Sequence, residues 1–236
     1  MDLTAPLLAS DPSCPRITTY TPGGRMELSA ATVANWAAKA GNYFSGELGL
    51  GPGDVVVVDC PTNWLPAVLV PGCWQAGAAV CSPSSPAASD AAALLTADPD
   101  SAFATGFDAE ILQISGDPFG RGVVESGGTV PFGVTDLIPD LRVQADRYTG
   151  PVTGDTVAAL VTVTGDELTG DDLRHLAARS GQGVRLVSTG WEDADGLVRR
   201  LLPLFTGGSV VLSTDADRQR LEQLAQVEKA TVSPGP

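Results

Sequence analysis

Lysine is nearly missing from this 236-residue chain: Lys39 and Lys229 are the only two, and His175 is the sole histidine. A mechanism that needs a lysine therefore has two candidates. A Ser-His-Asp triad or a site built on two histidines has almost nothing to draw on. No G-x-S-x-G nucleophile turn accompanies His175, so its default place is a solvated helix face. The four cysteines, Cys14, Cys60, Cys73 and Cys81, include no C-x-x-C pair, and three lie in the most apolar stretch. They read as buried, reduced thiols in a cytoplasmic protein, not as disulfides or a zinc site. Met1-Asp-Leu-Thr carries no basic leader, and Leu7-Leu-Ala9 is too short for a signal-peptide core. The uncharged run from Cys60 to Ser89 is broken by Pro61, Pro66, Pro71 and Gln75, so it reads as a core helix and not as a membrane span.

Positive charge is also scarce. Fourteen bases against 28 acids leave a net charge of −14, which repels phosphate backbones and anionic membrane surfaces. Neither nucleic acid nor membrane is expected as a partner. With 43% hydrophobic and 18% charged residues, the chain has the composition of a folded protein with a sizeable core.

What is present is organised around residues 48–83. Leu48-Gly-Leu-Gly-Pro-Gly-Asp54 is a helix stop, Val55 to Val58 is a β-branched run of the kind buried on both faces of an α/β sheet, and Pro61 ends it. Asn63 caps an apolar helix carrying Trp64, Leu65, Leu69 and Trp74, and Gly77-Ala-Ala-Val80 leads into another strand, which makes a βαβ unit. Before it, Thr21-Pro-Gly-Gly24 turns a hairpin, and Ser29 caps a helix whose stripe of Val33, Trp36, Ala37, Ala40 and Phe44 lies opposite Asn35, Lys39 and Asn42. After it, the signals predict a short helix from Ser89 or Asp90 to Ala97 and strands at Ser101–Thr105 and Ile111–Ile114. Residues 116–151 form an irregular excursion with room for a short helix. Strands follow at Thr156–Thr162, Arg185–Ser188 and Ser209–Ser213, alternating with helices capped at Thr169, Asp193 and Asp215, the first of them running to Ser180.

The expected fold is α/β, a mainly parallel sheet with helices on both faces. Residues 1–15 are expected to form a flexible N-terminus, and residues 16–236 a single domain. Asp98-Pro-Asp100, Asp193-Ala-Asp195 and Asp215-Ala-Asp217 read as helix caps and turns, not as metal ligands.

Leu-Gly-x-x-Pro-Gly-Asp, the valine strand, the proline, the asparagine-capped apolar helix and Ala-Gly-Ala-x-Val with Ser-Pro together resemble the opening of the AMP-binding, adenylate-forming family. That family includes acyl-CoA synthetases, luciferases and peptide-synthetase adenylation domains. With gaps, the resemblance reaches from Ile17 to the C-terminus, and it implies a truncated N-terminal part of such an enzyme. It also implies a Ser/Thr/Gly loop ending in Pro-Lys-Gly after the strand Thr156–Thr162, where backbone N–H groups and a lysine neutralise ATP phosphates. The sequence there is Val163-Thr-Gly-Asp-Glu-Leu-Thr-Gly170. Thr162, Thr164 and Gly165 keep the register of a nucleotide-binding loop, but Asp166 and Glu167 stand where the phosphates would lie, and no Pro-Lys-Gly is present. The acids are expected to favour the start of the following helix. No Tyr-Gly-x-Thr-Glu, hinge or C-terminal small domain follows.

The expectation is a protein without catalytic residues, metal or cofactor that binds a partner protein or a small ligand. The alternative is a residual or split acyl-CoA synthetase-type ligase that binds ATP or AMP and an acyl substrate.

Overall fold

The computed structural model describes residues 1–2, 4–179 and 181–233, so the expected helix end at Ser180 lies outside the described residues. In chain order the elements are α1 (Thr4–Ser10), β1 (Pro15–Thr21), β2 (Gly24–Ser29), α2 (Ala30–Asn42), β3 (Val55–Asp59), α3 (Trp64–Ala76), β4 (Ala79–Cys81), β5 (Ala93–Thr96), β6 (Glu110–Gln113) and β7 (Val134–Asp136). There follow α4 (Leu137–Arg142), β8 (Ala158–Val161), β9 (Glu167–Thr169), α5 (Gly170–Ala178), β10 (Arg185–Thr189), α6 (Ala194–Phe205), β11 (Ser209–Ser213), α7 (Arg218–Val227) and β12 (Thr231–Val232).

The valine run does what a continuous β-branched run does. As β3 it lies inside a seven-stranded sheet ordered β7-β6-β5-β3-β4-β8-β9, parallel throughout except for β9. Because strand side chains alternate, Val56 and Val58 join the main core while Val57 packs on the opposite face. That opposite face is covered by Ala88 and Ala104 from short 3₁₀ turns at Pro86–Asp90 and Ala104–Gly106. The main core takes side chains from α2, α3 and α6. All thirteen residues of α3 are buried, as a helix without a polar face requires. Gly72 lets α2 approach it: a Cβ there would stand 2.4 Å from Ala40 Cβ.

The strands expected at 185–188 and 209–213 form, but not in that sheet. They belong to a second, five-stranded sheet, β12-β10-β11-β1-β2, in which only β2 is antiparallel. Ile17, Val210 and Leu212 turn one face of it toward the same main core, and α7 covers Val187 and Val211 on the other.

Four local expectations are corrected. The helix predicted to reach Ala97 is strand β5, because pairing on β3 and full burial of Ala93, Leu94 and Leu95 override the helix preference of an alanine- and leucine-rich run. The strand predicted at 101–105 is a turn, since Ser101 Oγ accepts the Ala104 N–H and its carbonyl accepts the Thr105 N–H. The cap of α7 is Asp217, which accepts the Arg220 N–H, while Asp215 accepts the Asp217 N–H one step earlier. The first fifteen residues contain α1, whose Leu7 is fully buried, and the Met1 amino nitrogen donates to the Trp74 carbonyl at 2.9 Å. Residues 116–151 are largely irregular, with β7 and α4 inside them, and they are held to α2 by polar side chains. Lys39 Nζ donates to the carbonyls of Arg142 and Gln144, and Asn42 donates to those of Ala145 and Arg147. Among the described residues no helix is long and apolar enough to cross a membrane.

Candidate functional site at the strand ends

In open α/β sheets, ligands gather at the carboxyl ends of the strands. Here β4 and β8 are parallel neighbours with Cys81 opposite Val161, so Ser82 and Thr162 emerge side by side. The N-terminus of α6 closes the third side, where the Ala194 N–H donates to Ser82 Oγ at 2.9 Å. Ser85 Oγ donates to the Thr162 carbonyl at 2.9 Å.

Into this corner the chain places a hairpin and not an open loop. After β8 it turns at once and returns as β9, pairing Val161 with Glu167. The Thr162 N–H donates to the Asp166 carbonyl at 2.9 Å, and the Gly165 N–H donates to the Thr162 carbonyl at 3.0 Å. Thr162 Oγ1 accepts the Asp166 N–H at 3.0 Å, and Thr164 Oγ1 donates to Asp166 Oδ2 at 2.7 Å. Gly165 supplies φ +89°, which a residue with a side chain adopts only at a cost. The three residues predicted for a nucleotide-binding loop, Thr162, Thr164 and Gly165, are thus brought together, but the N–H groups of Thr162 and Gly165 and both threonine hydroxyls are spent on one another and on Asp166.

The acids do not favour the helix start as expected. Glu167 lies in β9, and α5 opens instead on a capping box in which Thr169 and Asp172 exchange hydrogen bonds.

The electrostatics around the hairpin are negative. Burial pushes the Asp195 carboxyl above its ordinary value, and neither the Val163 N–H nor Arg199, one helical turn on, fully offsets it. Asp195 Oδ1 is buried and has no partner among the described residues. Burial likewise raises the Asp59 carboxyl at the end of β3, with Asp98 adding to the shift. Cys81 is pushed up to about 11 by burial, so at neutral pH it is a thiol and not a nucleophile. Asp193 already occupies the α6 N-terminus as its cap, accepting the Gly196 N–H at 2.7 Å.

Neither lysine enters this corner. Lys39 is paired with Asp146 at 2.9 Å, on the excursion. Lys229 lies beyond the end of α7 and holds φ +51°. His175 is exposed on α5, with Nδ1 at 2.8 Å from the Asp171 carbonyl oxygen.

Ser82, Ser85 and Asp195 shape the site, yet the sequence pattern singles out neither serine and marks Asp195 only as part of the Asp193-Ala-Asp195 cap. The only sequence signal for the serines is the Ser-Pro-Ser-Ser run directly after a short buried strand. For Asp195 the Asp193-Ala-Asp195 pair gives only a cap, because a second acid after a capping aspartate reads as ordinary first-turn charge.

A scan against protein-family models finds no match. A TIGR03089 family protein of Mycobacterium tuberculosis (strain ATCC 25618 / H37Rv) is 36% identical over 239 residues, covering 96% of this chain and 93% of that one. Among solved structures, an acyl-CoA synthetase from Brucella canis superposes with a TM-score of 0.80 at 13% identity over 100% of this chain. Apo MatB from Rhodopseudomonas palustris does so with 0.74 at 18% identity over 98%. The peptide synthetase FmoA3, in its AMPPNP-bound form, gives 0.67 at 20% identity over 97%. The chain spans 47%, 48% and 25% of those three proteins. At these identities the likeness concerns the fold, which is that of the N-terminal part of an acyl-CoA synthetase.

Proposed function

The chain belongs to the TIGR03089 family, and from that membership and the closed hairpin at the strand ends we propose that it works by binding, as a non-catalytic protein on the adenylate-forming ligase fold. The observation that carries this reading is the hydrogen-bonded turn Thr162–Asp166 in the corner where the ligase resemblance calls for an open, lysine-bearing loop. An ATP triphosphate needs unspent N–H donors and a cation. Here the Thr162, Val163, Gly165 and Asp166 N–H groups are already spent, with the Asp166 and Asp195 carboxylates beside them. Each unit charge facing a phosphate charge about 4 Å away opposes binding by about 1 kcal/mol in water and about 4 kcal/mol in a partly desolvated site. ATP therefore does not fit the residues present, and no step is assigned to it. What the chain binds is a partner protein or a small ligand, and its acidity argues against nucleic acid or an anionic membrane surface.

Thermal melts test this reading. ATP and AMP at a large excess should leave Tm unchanged. A ligand at a hundred times its Kd adds about 2.7 kcal/mol of stability, so a rise of several degrees with ATP would restore the ligase alternative.

A further inference from the structure

The face of the seven-stranded sheet turned away from the main core is thinly covered. Among the described residues no α-helix supplies a side chain to its cluster, and Val55, Phe103, Phe107, Ile111 and Ala158 stay half-buried there. Parallel strands are normally covered by helices on both faces. Between the 3₁₀ turns at Pro86–Asp90 and Ala104–Gly106 this face opens into a groove of about 480 Å³. Ala88, Ala91 and the Phe103 and Phe107 rings, whose centroids are 5.8 Å apart, form its apolar floor. Asp90 and Asp108 also line it, both exposed, and neither carboxylate has an ion pair or hydrogen bond among the described residues. No positive charge offsets them: residues 40–120, which supply the whole groove, contain nine acids and no lysine, arginine or histidine. Strand β8, which also packs on this face, carries none either.

A second copy of this chain does not suit such a groove, because with a net charge of −14 self-association through this face sets like charges against each other. An occupant that carries cations does. Aromatic rings beside unpaired carboxylates receive an arginine well: its guanidinium stacks on the rings and its N–H groups pair with the acids. Small-molecule sites bury most of their ligand, whereas this groove is half open to solvent and suits a segment of polypeptide laid along it. We infer that the groove docks an arginine-bearing, otherwise apolar segment of a partner protein, with apolar side chains on Phe103 and Phe107 and arginines facing Asp90 and Asp108. The inference rests on the reading that the chain works by binding, and it supplies the surface and the class of partner.

The test titrates the full chain with a short peptide of alternating arginine and leucine, with its arginine–serine and glutamate–leucine counterparts, and with hexane-1,6-diamine, followed by calorimetry and amide NMR shifts. The arginine–leucine peptide should bind tightest and move resonances of residues 86–91 and 102–109. Serine in place of leucine should weaken it about tenfold, and the glutamate–leucine peptide should not bind. Asp90→Asn with Asp108→Asn should weaken the arginine–leucine peptide about tenfold. Asp140→Asn with Glu192→Gln, which removes as much charge from exposed sites elsewhere, should leave its binding unchanged. Gly106→Arg should abolish binding without threatening the fold, because a Cβ at Gly106, in the groove lining, meets nothing within 4 Å. Absence of binding at millimolar peptide would overturn the inference, as would binding that the two double variants weaken equally, which is diffuse attraction to an acidic protein. A diamine that binds as tightly as the peptide, or self-association of the free chain that covers residues 102–109, would overturn it too. Pyrophosphate exchange with these responses intact would overturn only the non-catalytic reading; no exchange and no peptide binding would overturn only this one.

Discussion

Glu228 takes hydrogen bonds from Tyr20 Oη at 2.5 Å, Arg25 Nε at 2.9 Å and Arg185 Nη2 at 2.6 Å, with 7% of its side chain exposed. Burial alone would push this carboxyl up, but the hydrogen bonds from Arg25, Tyr20 and Arg185 outweigh it and bring it to about 2 from an ordinary 4.5. A folded-state value below the unfolded one stabilises the fold above the ordinary glutamate range, and that contribution fades as pH falls from about 4.5 through about 2. Wild type should therefore lose stability over that window more steeply than Glu228→Gln, which itself should cost about 1–3 kcal/mol at pH 7 in urea denaturation. Parallel acid profiles for the two proteins would refute the role of this carboxylate. Nothing in the sequence signalled the cluster, since Arg185, Arg25 and Tyr20 lie 43, 203 and 208 residues from Glu228 and a surface-like glutamate after a helix carries no mark of its partners. Apolar residues were more legible. Leu69 and Trp74, read from the helix pattern as core, are 0% and 2% exposed, while Trp36 is half-buried with its ring 5.3 Å from that of Trp64. Leu69→Ala should cost about 2–5 kcal/mol, and a loss below about 0.5 kcal/mol would mean that the site is not packed.

At the scale of elements, what decided legibility was whether the signal was local. The valine strand, the Asn63 cap and the Thr169 cap are written in adjacent residues and form where expected. Strand β5 is not, because its alanines and leucines suit a helix until β3 and β6 take them on either side. The hairpin between β8 and β9 was half legible: the missing lysine and the two acids were plain, but the strand return was hidden because Glu167-Leu-Thr169 is too short to show alternation. Its turn depends on Gly165, at φ +89°, where a Cβ would also stand 3.0 Å from Pro86 Cγ. Gly165→Ala should cost about 1–3 kcal/mol. It should also shift the amide resonances of Thr162 and Asp166, whose hydrogen bonds close the turn. A neutral substitution with unmoved amides would show that the turn is not held as described.

For the whole molecule, the fold class was readable from the alternation of strand and helix and from the likeness to adenylate-forming enzymes. The division into two sheets was not. Pairing Ile17 with Val210 joins the two ends of the chain, and a register of that span leaves no periodic trace between them. The same distance hides the strand-end corner, which is assembled from residues 81–85, 161–167 and 193–195. One measurement reaches directly what that corner holds where the ligase resemblance calls for a phosphate loop. Pyrophosphate exchange with ATP, magnesium and a panel of fatty and amino acids, at high concentration of the purified chain, should stay at the no-protein background. Loss of a single transition-state donor typically costs a factor of about 10² to 10³, and here the donors and the lysine of the loop are missing together. Exchange above background that disappears in the Thr164→Ala, Asp166→Ala double variant would contradict the account and make the hairpin a working nucleotide site.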